Sequence, residues 1–159
     1  MITFPNAKIN LGLNVVERRP DGYHNIETVF YPIPLTDILE IVPAQGNDTT
    51  LTTYGNPVDC PPAKNLVMKA YRLLAEKFDL PPVDIYLYKH IPDGAGLGGG
   101  SSDAAHTLTM MREMYKLDIT DDQLAAMAAK LGADCAFFVY NRPMAATGIG
   151  DVLDRKSVV

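Results

Sequence analysis

One segment of the 159-residue chain combines the features that hold phosphate groups in proteins. Five of the seven residues from 94 to 100 are glycine, and two serines follow directly. Glycine costs conformational entropy, so this density indicates positive φ angles or close approach of the backbone to another group. A helix that begins here presents unpaired N–H groups and the positive end of its macrodipole. The candidate phosphate-binding residues are Pro92, Asp93, Gly94, Ala95, Gly96, Leu97, Gly98, Gly99, Gly100, Ser101 and Ser102.

Two well-known nucleotide motifs fit these glycines poorly. Gly94, Gly96 and Gly99 have the spacing of the dinucleotide fingerprint, but the next predicted element after their helix is another helix, not a strand. A Walker A loop requires Gly-Lys-Ser/Thr, and no lysine lies between residues 90 and 115. A flexible linker is the structural alternative, but such linkers do not lead straight into an amphipathic helix.

A lysine and an aspartate are the clearest candidates for charge chemistry outside the glycine segment. Lys8 shares a predicted strand face with Asn10 and Asn14, short polar residues that suit a cleft. A solvated lysine at a sheet edge explains the same pattern. Asp134 follows Gly132-Ala133 after a predicted helix, where aspartate is also a common turn residue. From these residues alone, the functional and structural explanations both stay open.

Composition excludes several classes of function. The 14 basic and 19 acidic residues give a net charge of -5, and no basic run marks a nucleic-acid surface. The two cysteines form no Cys-x-x-Cys motif, which argues against structural zinc and a disulfide scaffold. No stretch approaches the roughly 18 consecutive apolar residues of a membrane helix, and no secretory signal begins the chain. We therefore expect a cytoplasmic protein.

Hydrophobic periodicity predicts an α+β fold. Alternation predicts a half-buried strand over residues 7–15, with the apolar residues from Ala7 to Val15 on one face. Further strands are predicted over residues 26–33, 36–43, 49–54, 83–90, 136–140 and 144–147. Helices are predicted over 66–78 and 102–116, and a third starts at a capping box of Thr120 and Gln123 and stops at Gly132. This order favours a mixed or antiparallel sheet with helices packed on it over a doubly wound sheet.

Several spaced motifs together resemble the GHMP kinases, a superfamily of small-molecule kinases. The segment from Pro92 through Gly96-Leu97-Gly98 to Ser101-Ser102 is similar to their phosphate loop, with two glycines inserted. One branch, which phosphorylates CDP-methylerythritol, is also similar over residues 7–13, 18–24 and 131–138. Residues 146–150 resemble a further segment of that branch, and Ala136 stands where the branch usually has proline. The motifs keep the family order over nearly the whole chain.

The resemblance implies a fold, a reaction and residue roles. It implies that residues 1–159 form the ATP-binding N-terminal domain of such a kinase, similar to domain 2 of ribosomal protein S5. With ATP and Mg²⁺, the kinase would transfer the γ-phosphoryl group to the 2-hydroxyl of CDP-methylerythritol in non-mevalonate isoprenoid synthesis. Asp134 would be the catalytic base and Lys8 the catalytic cation. Asn10, Tyr23 and His24 would bind the substrate, although Tyr23 and His24 are otherwise explained as exposed residues of a turn.

The resemblance also implies a second, C-terminal domain, and nothing follows Val159 in this sequence. We therefore expect weak or no turnover from this chain, and self-association through an apolar face that the second domain would cover. Two other functions remain open: another GHMP kinase of the homoserine or mevalonate type, and a nucleotide-binding module without catalysis. The triple glycine and the Asp-Gly-Tyr-His turn favour the CDP-methylerythritol branch.

Overall fold

Two four-stranded sheets and four α-helices make up residues 1–154, the part of the chain that the computed structural model describes. The strands are β1 (Ile2–Thr3), β2 (Asn6–Arg18), β3 (His24–Thr36), β4 (Ile38–Pro43), β5 (Thr50–Gly55), β6 (Val83–Lys89), β7 (Met144–Thr147) and β8 (Val152–Asp154). The helices are α1 (Leu66–Phe78), α2 (Gly99–Tyr115), α3 (Asp121–Ala128) and α4 (Cys135–Tyr140), and a 3-10 turn spans Pro62–Lys64. The predicted α+β fold is confirmed.

The first sheet has the strand order β1-β4-β6-β5 and carries the larger core. Its strands pair antiparallel, except that β5 runs parallel to β6. Val83, Ile85 and Leu87 of β6 are buried against α1 and α2, as their alternation with exposed tyrosines predicts. Asn65 caps α1 by accepting a hydrogen bond from the Val67 backbone N–H, so this helix has the predicted bounds.

The second sheet has the antiparallel order β2-β3-β7-β8 and surrounds a smaller aromatic core. Phe30 of β3 packs on Phe137, and Phe137 packs edge-on against Phe138. Beyond this core, β2 and β3 continue as a two-stranded ribbon with two irregularities in register, at Leu11/Leu13 and Val15/Glu17. The ribbon ends at the turn of residues 19–23.

The predicted half-buried strand over residues 7–15 is wrong in its outer part. Ala7 is fully buried, but Leu11, Leu13 and Val15 are 50%, 54% and 60% exposed. The period of two in the sequence does give a strand, yet no element among the described residues covers the face that its apolar side chains form. Alternation thus predicted the backbone conformation correctly and the burial incorrectly.

The predicted strand over residues 136–140 is also wrong, because Cys135–Tyr140 forms α4. Five consecutive apolar or aromatic residues have no visible period, so a short buried strand and a short buried helix look alike. The packing decides: four residues of α4 are buried between α2, α3 and the aromatic core. The helix ends at Asn141, which takes the left-handed conformation at φ 49°.

Two helix boundaries also differ from the prediction. α2 begins at Gly99, three residues before the predicted start, so two glycines of the run belong to its first turn. α3 ends at Ala128, and residues 129–131 continue as turns rather than helix. The predicted capping box is present, since Thr120 and Gln123 exchange side-chain and backbone hydrogen bonds. Within residues 1–154, no helix is both long and apolar enough to cross a bilayer.

Candidate active site

The glycine segment forms an open loop between β6 and α2. Gly94, Gly96 and Gly98 all have φ angles near +70°, a region that residues with a Cβ rarely adopt. Gly98 occupies the N-cap position of α2 and supplies no side-chain cap. The first turn of a 17-residue helix therefore faces the loop without a capping side chain, which suits an anion.

Close packing explains part of the glycine density. A Cβ atom on Gly98 would lie 2.9 Å from the Phe138 ring, and one on Gly99 would lie 3.0 Å from Ile91. Gly94 and Gly96 have open space instead, so their positive φ angles alone favour glycine. The loop is thus fixed at its helical end by packing and free of side chains at its outer end.

Lys8 joins the loop to the opposite side of the site. Its backbone N–H donates to the Leu97 carbonyl at 2.9 Å, which anchors the loop to β2. Its buried side chain passes the Phe30 ring, with Nζ 4.7 Å from the ring centroid. Nζ donates to Asn10 Oδ1 at 2.7 Å and lies 3.6 Å from Asp134 Oδ2.

Asp134 lies at the start of α4, but its carboxylate does not cap that helix. Its side chain is 30% exposed, whereas that of Lys8 is 7% exposed. Lys8 comes from β2 and Asp134 from the other end of the chain, so the fold brings together the two residues that the sequence singled out. The pair offers a carboxylate that solvent reaches beside a cation held in place by packing.

Asn10 lies beside this pair, whereas Tyr23 and His24 lie at the far tip of the ribbon. The Asp21 carboxylate accepts from the Tyr23 backbone N–H at 3.1 Å and pairs with Arg19, which orders the turn. Desolvation is the largest single influence on Asp21 and raises its pKa, but the hydrogen bonds from Tyr23 and Arg19 together lower the pKa below its ordinary value. Tyr23 is 62% exposed, and no contact described here joins it to Lys8 or Asp134.

The two serines at the start of α2 have different surroundings. Ser101 is partly exposed on the side of the loop, near Gly132. Ser102 is fully buried, and its Oγ lies 3.3 Å from His106 Nδ1. Burial lowers the pKa of His106. Ser101 therefore has the better access to a bound phosphate.

Two cavities meet at the glycine loop. One, of about 270 Å³, lies over the loop itself between Pro92 and Ser101. The other, of about 150 Å³, lies between the loop and the first sheet, where Val58, Leu66 and Leu87 provide apolar walls. Both cavities share Leu66, Asp93 and Gly100, so a single elongated ligand can occupy both.

Sequence reasoning missed a buried charge cluster on the inner wall of the smaller cavity. Lys89 Nζ donates to Asp37 and, at 2.7 Å, to Asp103 Oδ2. All three residues are at least 93% buried. Asp37 also accepts hydrogen bonds from the backbone N–H groups of His90 and Ile91.

The cluster has one group that titrates near neutrality. Burial raises the pKa of Asp103 from the ordinary 3.8 to about 7, although Lys89 opposes the shift. The pKa of Lys89 is raised because the attraction of two carboxylates outweighs its own desolvation. Lys89 thus stays cationic while Asp103 gains or loses the proton.

One sequence signal points to this cluster. Lys89 continues the series Val83, Ile85, Leu87 and therefore lies in phase with the buried face of β6. A lysine in that register requires a buried carboxylate nearby, because an unpaired buried charge is too costly. The sequence does not indicate which aspartates supply the partners.

Comparison with known proteins decides the family. The sequence pattern described as the GHMP kinases N terminal domain matches residues 65–142. A crystal structure of 4-(cytidine 5'-diphospho)-2C-methyl-D-erythritol kinase superposes with a TM-score of 0.82 and 41% identity over 97% of this chain and 54% of that chain. The chain belongs to the GHMP kinase family.

Curated sequences place this GHMP kinase domain beside one group of relatives. The 4-diphosphocytidyl-2-C-methyl-D-erythritol kinase of Bacteroides fragilis is 59% identical over 96% of the chain and 56% of its own length. The protein of the same name from Cytophaga hutchinsonii is 50% identical over 100% of the chain and 58% of its own length. The chain thus spans little more than half the length of the curated relatives it matches.

More distant GHMP kinases share the fold alone. The mevalonate kinase of Methanococcus jannaschii superposes with a TM-score of 0.71 over 99% of the chain and 56% of that chain, at 16% identity. The predicted GHMP N-terminal fold is therefore confirmed.

Proposed function

We propose that the chain is the nucleotide-binding part of a kinase that transfers the γ-phosphoryl group of ATP to the 2-hydroxyl of CDP-methylerythritol. The observation that carries this proposal is the distance of 3.6 Å between Lys8 Nζ and Asp134 Oδ2. The backbone N–H of Lys8 also bonds the glycine loop, so the charged pair lies beside that loop. Phosphoryl transfer needs positioning and charge neutralisation more than covalent chemistry. This arrangement supplies both at one place.

The glycine loop binds the triphosphate in this proposal. Its exposed backbone and the uncapped first turn of α2 provide N–H donors and the positive end of the helix dipole. Ser101 adds a hydroxyl group. The nucleobase then lies in the 150 Å³ cavity, since that cavity opens onto the loop and has apolar walls.

Asp134 is the proposed general base. Its carboxylate is reachable from solvent and can accept the proton of the substrate hydroxyl as the oxygen attacks phosphorus. Lys8 stabilises negative charge on that oxygen and on the phosphoryl group, and its hydrogen bond to Asn10 fixes the direction of its ammonium group.

Mg²⁺ has no dedicated carboxylate cage here. No group of three or more potential metal-ligating side chains occurs among residues 1–154. Mg²⁺ keeps several waters and binds largely to nucleotide phosphates, so an ion that enters with ATP is compatible with this site. When bound, it would neutralise phosphate charge, while the residues above orient the reacting groups.

Asn10, Tyr23 and His24 are the proposed substrate contacts. The Tyr23 ring is exposed and ordered by its turn, so it can stack on a cytosine ring. The exposed ribbon between the tip and Lys8 would lie along an elongated substrate. The 41% identity to the crystal structure of a 4-(cytidine 5'-diphospho)-2C-methyl-D-erythritol kinase supports this choice over the homoserine and mevalonate types. We further propose that this reaction is a step of isoprenoid synthesis and takes place in the cytoplasm.

Substrate competition tests the assignment. We expect the full-length protein to phosphorylate CDP-methylerythritol in preference to homoserine or mevalonate, measured as ADP formed with MgATP in excess. Tyr23→Ala should raise KM for CDP-methylerythritol, because it removes only a substrate contact. Tyr54→Ala, an exposed tyrosine on β5, is the matched control. Preference for homoserine or mevalonate would refute the assignment.

A nucleotide-binding module without catalysis is the second candidate. The ribbon exposes apolar side chains: Leu13, Val15 and Val16 are each more than half exposed. Among the described residues, the proposed substrate cleft is therefore bounded by the ribbon on one side and open on the other. On this alternative, the chain binds ATP weakly and turns over little. Self-association through the same face stays a prediction, and a monomer in sedimentation velocity would contradict it.

A further inference from the structure

The two ends of the glycine loop lie against each other. β6 ends at Lys89, just before the loop, and α2 begins at Gly99, just after it. A Cβ atom on Gly99 would lie 3.0 Å from Ile91 Cγ2 and 3.3 Å from Lys89 Nζ. The chain therefore returns almost to the point where it left the sheet, and the shape of the loop depends on how firmly its two ends are joined.

The segment that enters the loop is hydrogen-bonded on both sides. Asp37, in the connection between β3 and β4, accepts from the backbone N–H groups of His90 and Ile91. Asn56, which follows β5, donates from its backbone to the Lys89 carbonyl at 2.8 Å and from its side chain to the His90 carbonyl at 3.0 Å. Groups outside the loop thus fix its entrance to the first sheet.

One ammonium group connects this entrance to the helix at the exit of the loop. Lys89 Nζ donates to Asp37, the residue that holds the entrance. It also donates to Asp103 Oδ2, on the second turn of α2, at 2.7 Å. Lys89 is 7% exposed and Asp103 is 2% exposed, so solvent offers little competition for these hydrogen bonds.

Stability alone does not account for three charged groups in this place. Charges lose their hydration on burial, so apolar side chains of similar volume would often give equal or greater stability. Charge-assisted hydrogen bonds are short and directional, and they define relative position in a way that apolar contacts do not. A loop rich in glycine gains from such support, because its own residues restrict few backbone angles.

We propose that Lys89 is a positioning residue, which joins the two ends of the glycine loop and thereby holds the loop in the shape that binds a triphosphate. Lys89 acts through Asp37 and Asp103 and not on the nucleotide itself. The proposal rests on the proposed function, because it presumes that the loop binds the phosphates of ATP. A loop already held in its binding shape pays less conformational entropy when the ligand arrives.

The Asp103→Ala variant of the full-length protein tests the proposal, because it cuts the connection to the helix while Lys89 keeps Asp37 as a partner. Calorimetry would measure the affinities for MgATP and for inorganic tripolyphosphate, a phosphate chain without sugar or base. At pH 8, above the pKa of about 7 for Asp103, the unaltered carboxylate is ionised. We expect both affinities to fall at least about tenfold, since the loop must then be ordered during binding.

The sign of the change separates positioning from charge. Asp103→Ala removes a negative charge near the loop, so electrostatic attraction alone would tighten the binding of both anions. A loss of affinity in spite of this attraction indicates that the shape of the loop has changed. Tripolyphosphate reports on the loop alone, because it cannot contact a site for sugar or base.

Two further variants separate positioning from loss of stability. In Asp103→Asn the amide oxygen can still accept from Lys89, so both affinities should stay within about threefold of those of the unaltered protein. Thr107→Val removes another buried polar group of α2, which donates to the Asp103 backbone carbonyl at 2.8 Å. It should lower the urea midpoint without changing either affinity. If the cluster only stabilised the fold, Asp103→Ala would behave in the same way.

Steady-state kinetics give an independent readout. With CDP-methylerythritol as substrate, Asp103→Ala should raise KM for ATP at least about tenfold and change kcat by less than about threefold. The reason is that the Lys8–Asp134 pair is left intact and saturating ATP can still order the loop. A fall in kcat at unchanged KM for ATP would contradict the proposal.

The outcomes distinguish this proposal from the proposed function. Unchanged or tighter binding of both anions by folded Asp103→Ala would overturn the role of Lys89 and leave the kinase assignment standing. Weaker binding, in a protein whose unaltered form does not phosphorylate CDP-methylerythritol, would support the role of Lys89 and refute the proposed substrate. If the unaltered protein binds neither anion, both proposals fail.

Hydrogen exchange in the unaltered protein decides if Asp103→Ala does not fold. We expect the backbone N–H groups of His90 and Ile91 to exchange only through global unfolding, with no nucleotide present, because buried Asp37 holds both. Exchange of these groups through local opening, insensitive to urea, would show that the loop is not held in advance and would overturn the proposal.

Discussion

Two lysines in this domain, Lys8 and Lys89, are buried beside carboxylates. Their surroundings differ: one pair is open to a substrate, and the other is enclosed in the fold. Lys89 is bonded to Asp37 and Asp103, neither of which is more than 2% exposed. Lys8 lies 3.6 Å from a single carboxylate, Asp134, that remains 30% exposed. The closed cluster joins β6, α2 and the β3–β4 connection, whereas the open pair leaves a carboxylate available to a substrate.

The difference predicts opposite responses to similar mutations. Removing a carboxylate from the closed cluster should lower stability, because it breaks buried hydrogen bonds that neither solvent nor another side chain replaces. Removing the carboxylate of the open pair should lower activity at a smaller cost in stability, because Lys8 keeps its hydrogen bond to Asn10 and its contact with the Phe30 ring.

The largest expected effect is the loss of turnover in Asp134→Asn. Removing a general base typically costs about 10²- to 10⁴-fold, so kcat for CDP-methylerythritol should fall by that range. The free energy of unfolding, measured in urea, should fall by less than in Asp37→Asn, because Lys8 Nζ keeps its hydrogen bond to Asn10. Asp118→Asn, an exposed carboxylate after α2, is the control for both measurements. Near-normal turnover in Asp134→Asn would remove Asp134 from the mechanism.

Asp37→Asn should be the most destabilising change in the closed cluster. Asp37 is fully buried and accepts hydrogen bonds from Lys89 and from two backbone N–H groups. Breaking such a network costs about 3–5 kcal/mol, which urea unfolding would detect. Asp84→Asn alters a partly exposed carboxylate that accepts from Thr50 and Gln45, and should cost under about 1 kcal/mol. Equal losses in the two variants would show that the burial of Asp37 does not increase its contribution to stability.

Stability should also depend on pH through Asp103. Its pKa is raised on folding from 3.8 to about 7, so the folded state binds the proton more tightly. The contribution of Asp103 to stability therefore falls as pH rises from about 4 to about 7, and is constant above that. Subtracting the unfolding free energies of Asp103→Asn from those of the unaltered protein should give this decline. A difference that rises with pH over this interval would contradict it.

A smaller effect is expected from Gly98→Ala, at the end of the loop that joins the two regions. The substitution places a Cβ 2.9 Å from Phe138 at a φ angle of 71°. We expect a loss of about 1–3 kcal/mol in stability together with weaker ATP binding. Gly46→Ala lies in open space without a positive φ angle, and should change neither quantity. Unaltered ATP affinity in Gly98→Ala would show that the loop tolerates displacement.

The sequence predicted the elements with a strong period and failed where packing decides. Leu66–Phe78 has its predicted bounds because Asn65 caps a clear amphipathic pattern. Residues 136–140 were predicted as a strand because their apolar run carries no period, and they belong to the helix Cys135–Tyr140. The outer residues of β2 alternate as a buried strand would, but whether a face is covered depends on other elements.

The sequence likewise identified some residues of the candidate site and missed others. Glycine spacing and the family motifs singled out the loop, Lys8 and Asp134, and the fold brings all three together. Asp37 and Asp103 could not be found in this way, because an isolated aspartate carries no local signal of burial. Only the register of Lys89 on β6 indicated that partners exist.

The hydrogen bond from the Lys8 backbone to Leu97 has a consequence for how this site can change. The contact belongs to the peptide group, so every amino acid except proline at position 8 can retain it. The side chain that faces Asp134 can therefore be exchanged while β2 keeps its hydrogen bond to the loop. Lys8 therefore serves both the loop contact and the charged pair, and a mutation can change its side chain without breaking the backbone hydrogen bond to the loop.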